Sequence, residues 1–580
     1  MTTTYKIIID KPEKSQFTWS IIDNETFEPV TLGDSFRPKK LFPEDVFTYD
    51  PAICRLVIKH SVVRSMTNIP AVLIVDDYNT YGKYKKNDKS LYKCVPDDTR
   101  LPPFLVPYKI KHVGFFKDIP NIFVTIQYVD WDDKHPVGTI VQNIGTVDVL
   151  EHFFEYQLFC KSLNHSIQRF NKAADQALKN ALTRCRTDLF DTIQGQFEDR
   201  RSTHRIFTID PPGCTDFDDA FSISSPSPET GDCIISIYIS NVPVVLDSLN
   251  LWSAFSQRVS TIYLPDKKRP MLPTILSDGL CSLQEGQSRI AYTIDVRVSE
   301  SGEVKEVHNT SCKIAVFKNF AYEEKDLLSD TSYQRLFHLV IKLSKIYKHV
   351  HPVQNSHELV AYLMILMNNH CAKHLAEIGS GVFRATKTIY KPSQPLREGP
   401  EEVLNFIAIW GSTCGQYIDI AKCSQKKLLQ HSALNLEEYV HITSPIRRIV
   451  DILNMILIQK NITFSDDAYL FVQNWLTKID YINTTMRSIR KVQTDCDFLS
   501  LCMKDELVLA SEYDGYCFDR VQRGDGLFQY NVFLPALKIA YRITSREYME
   551  ELDLRKYKLY LFTNENKYKK KIRLQVVNSI

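Results

Sequence analysis

Thr208-Ile-Asp-Pro-Pro-Gly-Cys-Thr-Asp-Phe-Asp-Asp-Ala220 places four aspartates, Asp210, Asp216, Asp218 and Asp219, within ten residues. Apolar residues 206–209 lead in, and Ala220-Phe-Ser-Ile223 leads out. This pattern predicts a strand, a Pro/Gly turn and a second strand. Carboxylates this close repel one another unless a cation sits among them. Their hard oxygen donors suit Mg²⁺ or Mn²⁺. Three other readings compete. Aspartates gather in surface turns. An EF-hand loop begins in the same way, but the positions of its central Gly and final Glu hold Phe221 and Ser227. A helix N-cap cluster sits poorly beside strand-like flanks. The apolar flanks argue for partial burial, where a carboxylate needs a partner.

The rest of the chain sets the frame. Its 580 residues suit several domains of about 100–200 residues each. With 71 Lys and Arg against 69 Asp and Glu, any basic surface is local, so global charge neither supports nor excludes a nucleic-acid partner. The N-terminal segment carries charges throughout, which predicts no signal peptide. No run approaches the ~18 apolar residues of a membrane span, so no membrane partner is expected. The 14 cysteines show no CxxC pair or zinc spacing. Reduced thiols point to an intracellular compartment; the cytoplasm is the favoured location, with the nucleus as the other.

Short β-branched and aromatic runs fill residues 1–95, for example 5–9, 47–49, 56–59 and 71–75. The polar stretch 79–93 reads as a loop or exposed hairpin. A second β segment follows, with runs at 122–129 and 139–141, and then a helical stripe of Leu150, Phe153, Phe154, Leu158 and Phe159 within 150–185. Residues 186–500 mix strands with long helical stretches, 359–375 and 449–458 being apolar enough for buried helices. The last segment, 501–580, returns to strands, beginning with Leu507-Val-Leu509. The expected layout is two small β domains (1–95 and 96–185), one large mixed domain (186–500) and a final β domain (501–580).

The aspartate string resembles the signature of the RNB family of exoribonucleases, which includes RNase II, RNase R and the catalytic exonuclease of the eukaryotic exosome. That signature runs T-I-D-P, a short turn, then D-x-D-D-A. Other motifs follow in family order. Arg186-Thr-Asp-Leu189 resembles the approach to the domain. Arg258-Val-Ser-Thr-Ile-Tyr-Leu-Pro265 resembles R-x-T-S-x-Y-L-P, followed by Pro270-Met-Leu-Pro273 and Leu280-Cys-Ser-Leu283. Tyr439-Val-His-Ile-Thr-Ser-Pro-Ile-Arg-Arg448, with Asp451, resembles Y-x-H-F-T-S-P-I-R-R. Upstream, Phe104-Leu-Val-Pro107, Trp131, Pro136-Val-Gly138 and Asn143-Ile-Gly145 look like an OB-type domain of the eukaryotic branch. The resemblance implies an α+β multidomain chain, an RNB catalytic domain flanked by OB-fold, cold-shock-like barrels. It gives no room for the N-terminal endonuclease domain of the exosome enzyme.

The same resemblance implies roles. Asp210, Asp216, Asp218 and Asp219 would hold the catalytic Mg²⁺ or Mn²⁺ in two-metal hydrolysis. Asp218 corresponds to the residue whose loss stops cleavage while binding survives. Arg447 would contact phosphate near the metals, with Arg448 beside it in RNA binding. Tyr322, expected at a helix start, would sit at the scissile end. Tyr263 would stack on a base. The implied activity is 3′→5′ hydrolysis of single-stranded RNA to nucleoside 5′-monophosphates, within an RNA-decay complex. Read without the resemblance, Tyr263 is a core tyrosine and the arginine pair a solvated one. The basic cluster 567–573 suits phosphate contact, nuclear import or a solvated charge run.

Three departures stand out. The family helix pattern L-I-E-E-F-M-L-L-A-N reads Leu359-Val-Ala-Tyr-Leu-Met-Ile-Leu-Met-Asn368, so an acidic pair becomes Ala361 and Tyr362. No match is found for the family's second stacking aromatic, and the loop 349–357 is short. In Tyr238-Ile-Ser-Asn-Val242 a family Asp becomes Asn241, predicting a metal site weaker by one charge that Asn241→Asp would strengthen. These changes favour the alternative, a catalytically inactive RNB-fold RNA-binding or scaffold protein. The intact aspartate set and Arg447 favour the enzyme.

Overall fold

The computed structural model describes residues 3–9, 18–33, 36, 38–86, 88–110, 119–184, 189–193, 195–348, 352–386, 399–412, 415–423, 425–565 and 567–577. The motif Arg186-Thr-Asp-Leu189 falls largely outside them, as do residues 349–351 of the loop read as short. Two compact units divide the chain. One holds Met1–Asn164, Val492–Glu512 and Tyr557–Ile580; the other holds His165–Lys491 and Tyr513–Lys556.

In the first unit, β1 (Tyr5–Ile9), β2 (Trp19–Asp23), β3 (Val46–Asp50) and β4 (Arg55–His60) form a four-stranded sheet in the order β2-β1-β3-β4. Alternate residues Ile7, Ile21 and Phe47 turn inward and pack with Phe36 and Leu41. A closed barrel follows, ordered β5-β6-β7-β9-β8, from β5 (Ile69–Leu73), β6 (Leu91–Pro96), β7 (Phe104–Pro107), β8 (Ile122–Asp130) and β9 (Val137–Thr146). Five strands with one parallel pair, β7 with β9, are the OB-type closure. The barrel draws β5 and most of β6 from the segment before residue 96. The polar stretch after Asn79 connects β5 to β6 within the barrel and is bridged at Lys83 and Ser90.

The helical stripe after the barrel is two helices. Leu150–Cys160 buries Phe153, Phe154, Leu158 and Phe159, with Tyr156 stacked on Phe123 at 4.3 Å. Ser162 takes φ 54°, which breaks the helix before Gln168–Arg184. Leu507-Val-Leu509, expected as a strand, lies in the helix Glu506–Ala510. Asp505 caps it by accepting from the Leu507 amide, a local bond that outweighs the strand preference of Val508.

In the second unit, six strands make one sheet, ordered β10-β17-β11-β12-β13-β16, with β16 also paired to β17. They are β10 (Glu198–Asp199), β11 (Ile206–Asp210), β12 (Asp219–Ile223), β13 (Cys233–Ser240), β16 (Ser288–Val298) and β17 (Val304–Ala321), and a small pair, β14 (Ile262–Tyr263) and β15 (Lys268–Arg269), lies between β13 and β16 in sequence. The long β17 pairs with β16 through residues 304–315 and then, parallel, with β11 through 316–321. Period-2 alternation sorts the two faces. Phe207, Ile209, Phe221, Ile235, Ile237 and Ile239 pack against the helices Thr331–Ile346 and Ser356–Glu377. Ile206, Ala220, Tyr238, Ala291, Cys312 and Ile314 build the other face. Asp330 and Asn355 cap those helices through side-chain acceptors. Further on, Glu401–Ser412 packs Phe406 flat on Phe533 at 3.8 Å, and Val403 and Ile407 join Phe518 and Phe533 in a small core. No helix among the described residues is long and apolar enough to cross a membrane.

Candidate active site

The strand–turn–strand read around Asp210 is present. β11 ends on Asp210 and β12 begins on Asp219. Between them Cys214 N donates to Pro211 O at 3.1 Å, and Gly213 takes φ +80°, a conformation that favours glycine. Ser282 ties the loop down, its Oγ donating to Thr215 O at 2.8 Å and accepting from Phe217 N at 3.1 Å. Asp210 faces Ala321 in the parallel ladder, so Tyr322 lies beside it, donating its N–H to Asp210 O at 3.0 Å. Tyr322 therefore follows a strand end, where the sequence reading expected a helix start; the next helix begins at Lys325.

The second half of the site comes from Tyr439–Arg448. Ser444 N donates to Asp451 Oδ1 at 2.7 Å, and the amides of Arg447 and Arg448 both turn back to Ser444 O. The turn aims Ile446 N at Asp218 Oδ1, 2.9 Å away, and Arg447 Nε at Asp218 Oδ2, 3.3 Å away. Arg447 also reaches Ser444 Oγ at 3.0 Å and leaves 43% of its side chain exposed. Arg448 turns inward, held by the buried Asp451 at 2.8 Å.

Asp210, Asp216, Asp218, Asp219, Tyr263, Tyr322, Arg447 and Arg448 line one cavity of about 780 Å³. One wall is Val360, Met364 and Asn368, at a spacing of four residues on one helix face. Ala361 is exposed, and Tyr362 is buried with its hydroxyl donating to Tyr347 O at 3.1 Å. Neither lines the cavity. The substitution noticed in the sequence therefore sits to one side of the residues that form this wall.

Burial dominates the electrostatics. It pushes the Asp210 and Asp218 carboxyls up to about 7, with Asp216 adding repulsion in both and Arg447 pulling down. Burial and the neighbouring Asp210 and Asp218 charges raise Asp219 well above its ordinary value. Asp216 is compensated differently, accepting from Lys268 Nζ at 3.0 Å and from the Tyr263 hydroxyl at 3.1 Å. Lys268 in turn spans to Asp278 at 2.9 Å. The sequence reading missed Lys268; its place two residues before Pro270-Met-Leu-Pro273 was the one available clue.

Among the described residues no group of three or more His, Cys, Asp and Glu side chains converges closely enough to cage a metal by itself. Yet Asp210 Oδ2 and Asp219 Oδ2 are buried with no hydrogen-bond partner, and such oxygens are costly unless a cation or donor arrives. Mg²⁺ is held in this way, through one or two carboxylates, with water and substrate phosphate completing its shell. Asp210 and Asp219 fit that role, with Asp218 and Asp216 adjacent.

Asn241 does not belong to the cavity. It is fully buried and exchanges amide hydrogen bonds with Gln459, at 2.7 and 3.3 Å. The expectation that Asn241→Asp would strengthen a metal site gives way to a packing role. That substitution is expected to set a carboxylate against Gln459 Oε1, lowering stability by about 1–3 kcal/mol and leaving metal affinity unchanged. Thermal melting with and without Mg²⁺ checks both parts.

Residues 198–337 and 333–463 match the RNB domain. Residues 198–463 thus form an RNB domain, similar to those of Dis3 and RNase R proteins. The chain is 28% identical to the Schizosaccharomyces pombe exosome complex exonuclease dis3 over 282 residues, 47% of this chain and 28% of that protein. It is 23% identical to the Caenorhabditis elegans DIS3-like exonuclease 2 over 460 residues, 62% of this chain and 53% of the relative. These matches therefore span about a quarter to about half of the relatives' own lengths. In fold the chain is similar to Mycoplasma genitalium RNase R, solved with ribose-methylated single-stranded RNA (TM-score 0.67, 15% identity, covering 98% of this chain and all of that one). It is also similar in fold to yeast Ssd1, a pseudonuclease (TM-score 0.59, 14% identity, covering 84% and 66%).

Proposed function

We propose that the chain is a metal-dependent hydrolytic exoribonuclease that shortens single-stranded RNA from the 3′ end and releases nucleoside 5′-monophosphates. One observation carries this reading: Asp210, Asp218, Asp219 and Arg447, from segments more than two hundred residues apart, converge on a single cavity. A bound Mg²⁺ or Mn²⁺ would polarise the scissile phosphate and activate water. The protein's own groups do the rest. Asp210 and Asp219 offer unpartnered oxygens at the cavity floor. Asp218 holds the Arg447 guanidinium, whose exposed part can stabilise charge on a phosphoryl oxygen. Tyr322 lies beside the Asp210 strand end on the same cavity and is assigned to the scissile end of the RNA. Val360 and Met364 make that wall apolar and limit water.

Tyr263 is 38% exposed at the cavity edge and offers a ring face for a base. Tyr263→Ala is expected to weaken RNA binding by about 1–3 kcal/mol, and Tyr263→Phe to keep most of it, because stacking uses the ring and not the hydroxyl. Fluorescence anisotropy with labelled RNA measures both. Arg448 is assigned a supporting contact, since Asp451 already holds it. The sheet within residues 5–60, the barrel within residues 69–146 and residues 501–580 are proposed as RNA-gripping β domains that accompany a catalytic domain at 186–500. The exosome relatives suggest action within an RNA-decay complex, in the cytoplasm or the nucleus.

The test uses 5′-labelled single-stranded RNA with Mg²⁺ or Mn²⁺ present or chelated. Metal-dependent shortening from the 3′ end with mononucleotide product is the expected result. One feature favours a second reading, an RNA-binding protein without cleavage: Asp216 and Asp218 already have cationic partners in Lys268 and Arg447. Tight binding with no shortening in either metal would select it.

A further inference from the structure

The helix Ser356–Glu377 carries a stripe that begins at His357 and continues through Val360, Met364 and Asn368, the residues that wall the cavity. Spacings of three and four residues keep all of them on one face. At the head of this stripe the His357 imidazole lies flat on the Tyr322 ring, with centroids 3.6 Å apart and planes 13° apart. The neighbouring pair of residues is clasped as well. Ser356 N and Oγ donate to Glu323 Oε1 at 2.7 and 2.6 Å, and Glu323 N donates to Ser356 Oγ at 3.2 Å. Glu323 takes φ 54° to make that turn, a conformation uncommon outside glycine.

Tyr322 is therefore held from two directions. Its backbone is fixed to Asp210 O, and its ring is pressed on one face by His357. Its side chain lines the same cavity as Asp210 and Asp219. Two flat rings in face contact restrict the tilt of both, which a small aliphatic side chain in place of His357 would not do. Ala361, one turn further along the helix, adds no bulk that would crowd the imidazole.

We propose that His357 is a positioning residue for the cleavage step, holding the Tyr322 phenol in place beside the aspartates and acting through Tyr322 rather than on RNA. This rests on the nuclease reading above. Displacing a positioned group by a fraction of an ångström to an ångström lowers turnover more than affinity. His357 is exposed, so its replacement leaves the core intact.

The experiment measures kcat and KM on single-stranded RNA with Mg²⁺ for the parent chain, His357→Ala, His357→Phe, Tyr322→Ala and the double variant His357→Ala/Tyr322→Ala. The expected result is a loss of about tenfold in kcat for His357→Ala with KM within about twofold, and recovery of most of that loss in His357→Phe, which keeps a flat ring. In the Tyr322→Ala background, removing His357 is expected to cost nothing further. An unchanged kcat in His357→Ala, an equal loss in His357→Phe, a loss confined to KM, or multiplied losses in the double variant would each overturn the inference. A parent chain that shortens no RNA overturns the nuclease reading together with this one. A parent chain that cleaves normally while His357→Ala matches it overturns this one alone.

Discussion

Asp218→Asn is expected to bind single-stranded RNA with nearly the parental affinity and to cleave it at least about a thousandfold more slowly. The side chain is 5% exposed and sits where both halves of the site meet. Its backbone oxygen accepts from Ser240 N at 2.9 Å, a bond the substitution leaves alone. An asparagine Oδ1 can still accept from Ile446 N. Its amide group, however, turns donors toward Arg447 Nε, a donor itself, so the guanidinium loses its anion. The floor of the cavity also loses one of its negative charges, which weakens its hold on a divalent cation. Tyr263 and the rim of the cavity stay as they were, and binding should survive. Gel assays with 5′-labelled RNA and anisotropy on the same preparation separate the two effects. Parental turnover in this variant would end the assignment of Asp218 to catalysis.

Arg447→Lys should lower kcat by about a hundredfold and affinity much less. The guanidinium works as a fork, with Nε on Asp218, a terminal nitrogen on Ser444 Oγ at 3.0 Å and an exposed portion toward the cavity. A lysine keeps the charge but is a single point with no fixed plane, so it cannot meet Asp218 and a phosphate oxygen together. Arg447 is more than a third exposed, so its ion pair with Asp218 is screened and adds little to stability. Melting should barely move, and the effect belongs in turnover. Single-turnover rates at saturating enzyme read it directly. A loss found only in affinity would recast Arg447 as a binding residue.

The site was legible in the sequence wherever its residues are close along the chain. The aspartate string carries its own turn chemistry, Pro-Pro-Gly, and its apolar flanks are the strands β11 and β12. Ser444, Arg447 and Arg448 likewise lie in one tight turn. Features that depend on register across the fold were not legible. Tyr322 stands beside Asp210 because β17 changes partner along its length, from β16 to β11, and no local pattern announces that change. Lys268 reads as one more basic residue in a loop until β15 brings it to Asp216. Ala361 and Tyr362 drew notice as missing acids, yet the stripe facing the cavity is offset by one residue from them. Asn241 shows the same limit, since its partner Gln459 lies 218 residues away.

The bond between Asp218 and Ile446 joins residues 228 apart, and this separation has a consequence for how the protein is made. A chain leaving the ribosome exposes its aspartate loop long before the turn that completes the cavity has been translated. At about 5–20 residues per second, that interval lasts some ten to fifty seconds. During it the nascent chain, attached to a message and surrounded by ribosomal RNA, holds a loop with crowded carboxylates and no arginine. Assembly of the cavity is thus timed by synthesis itself, since the two halves can first meet only once the turn at Ile446 has emerged.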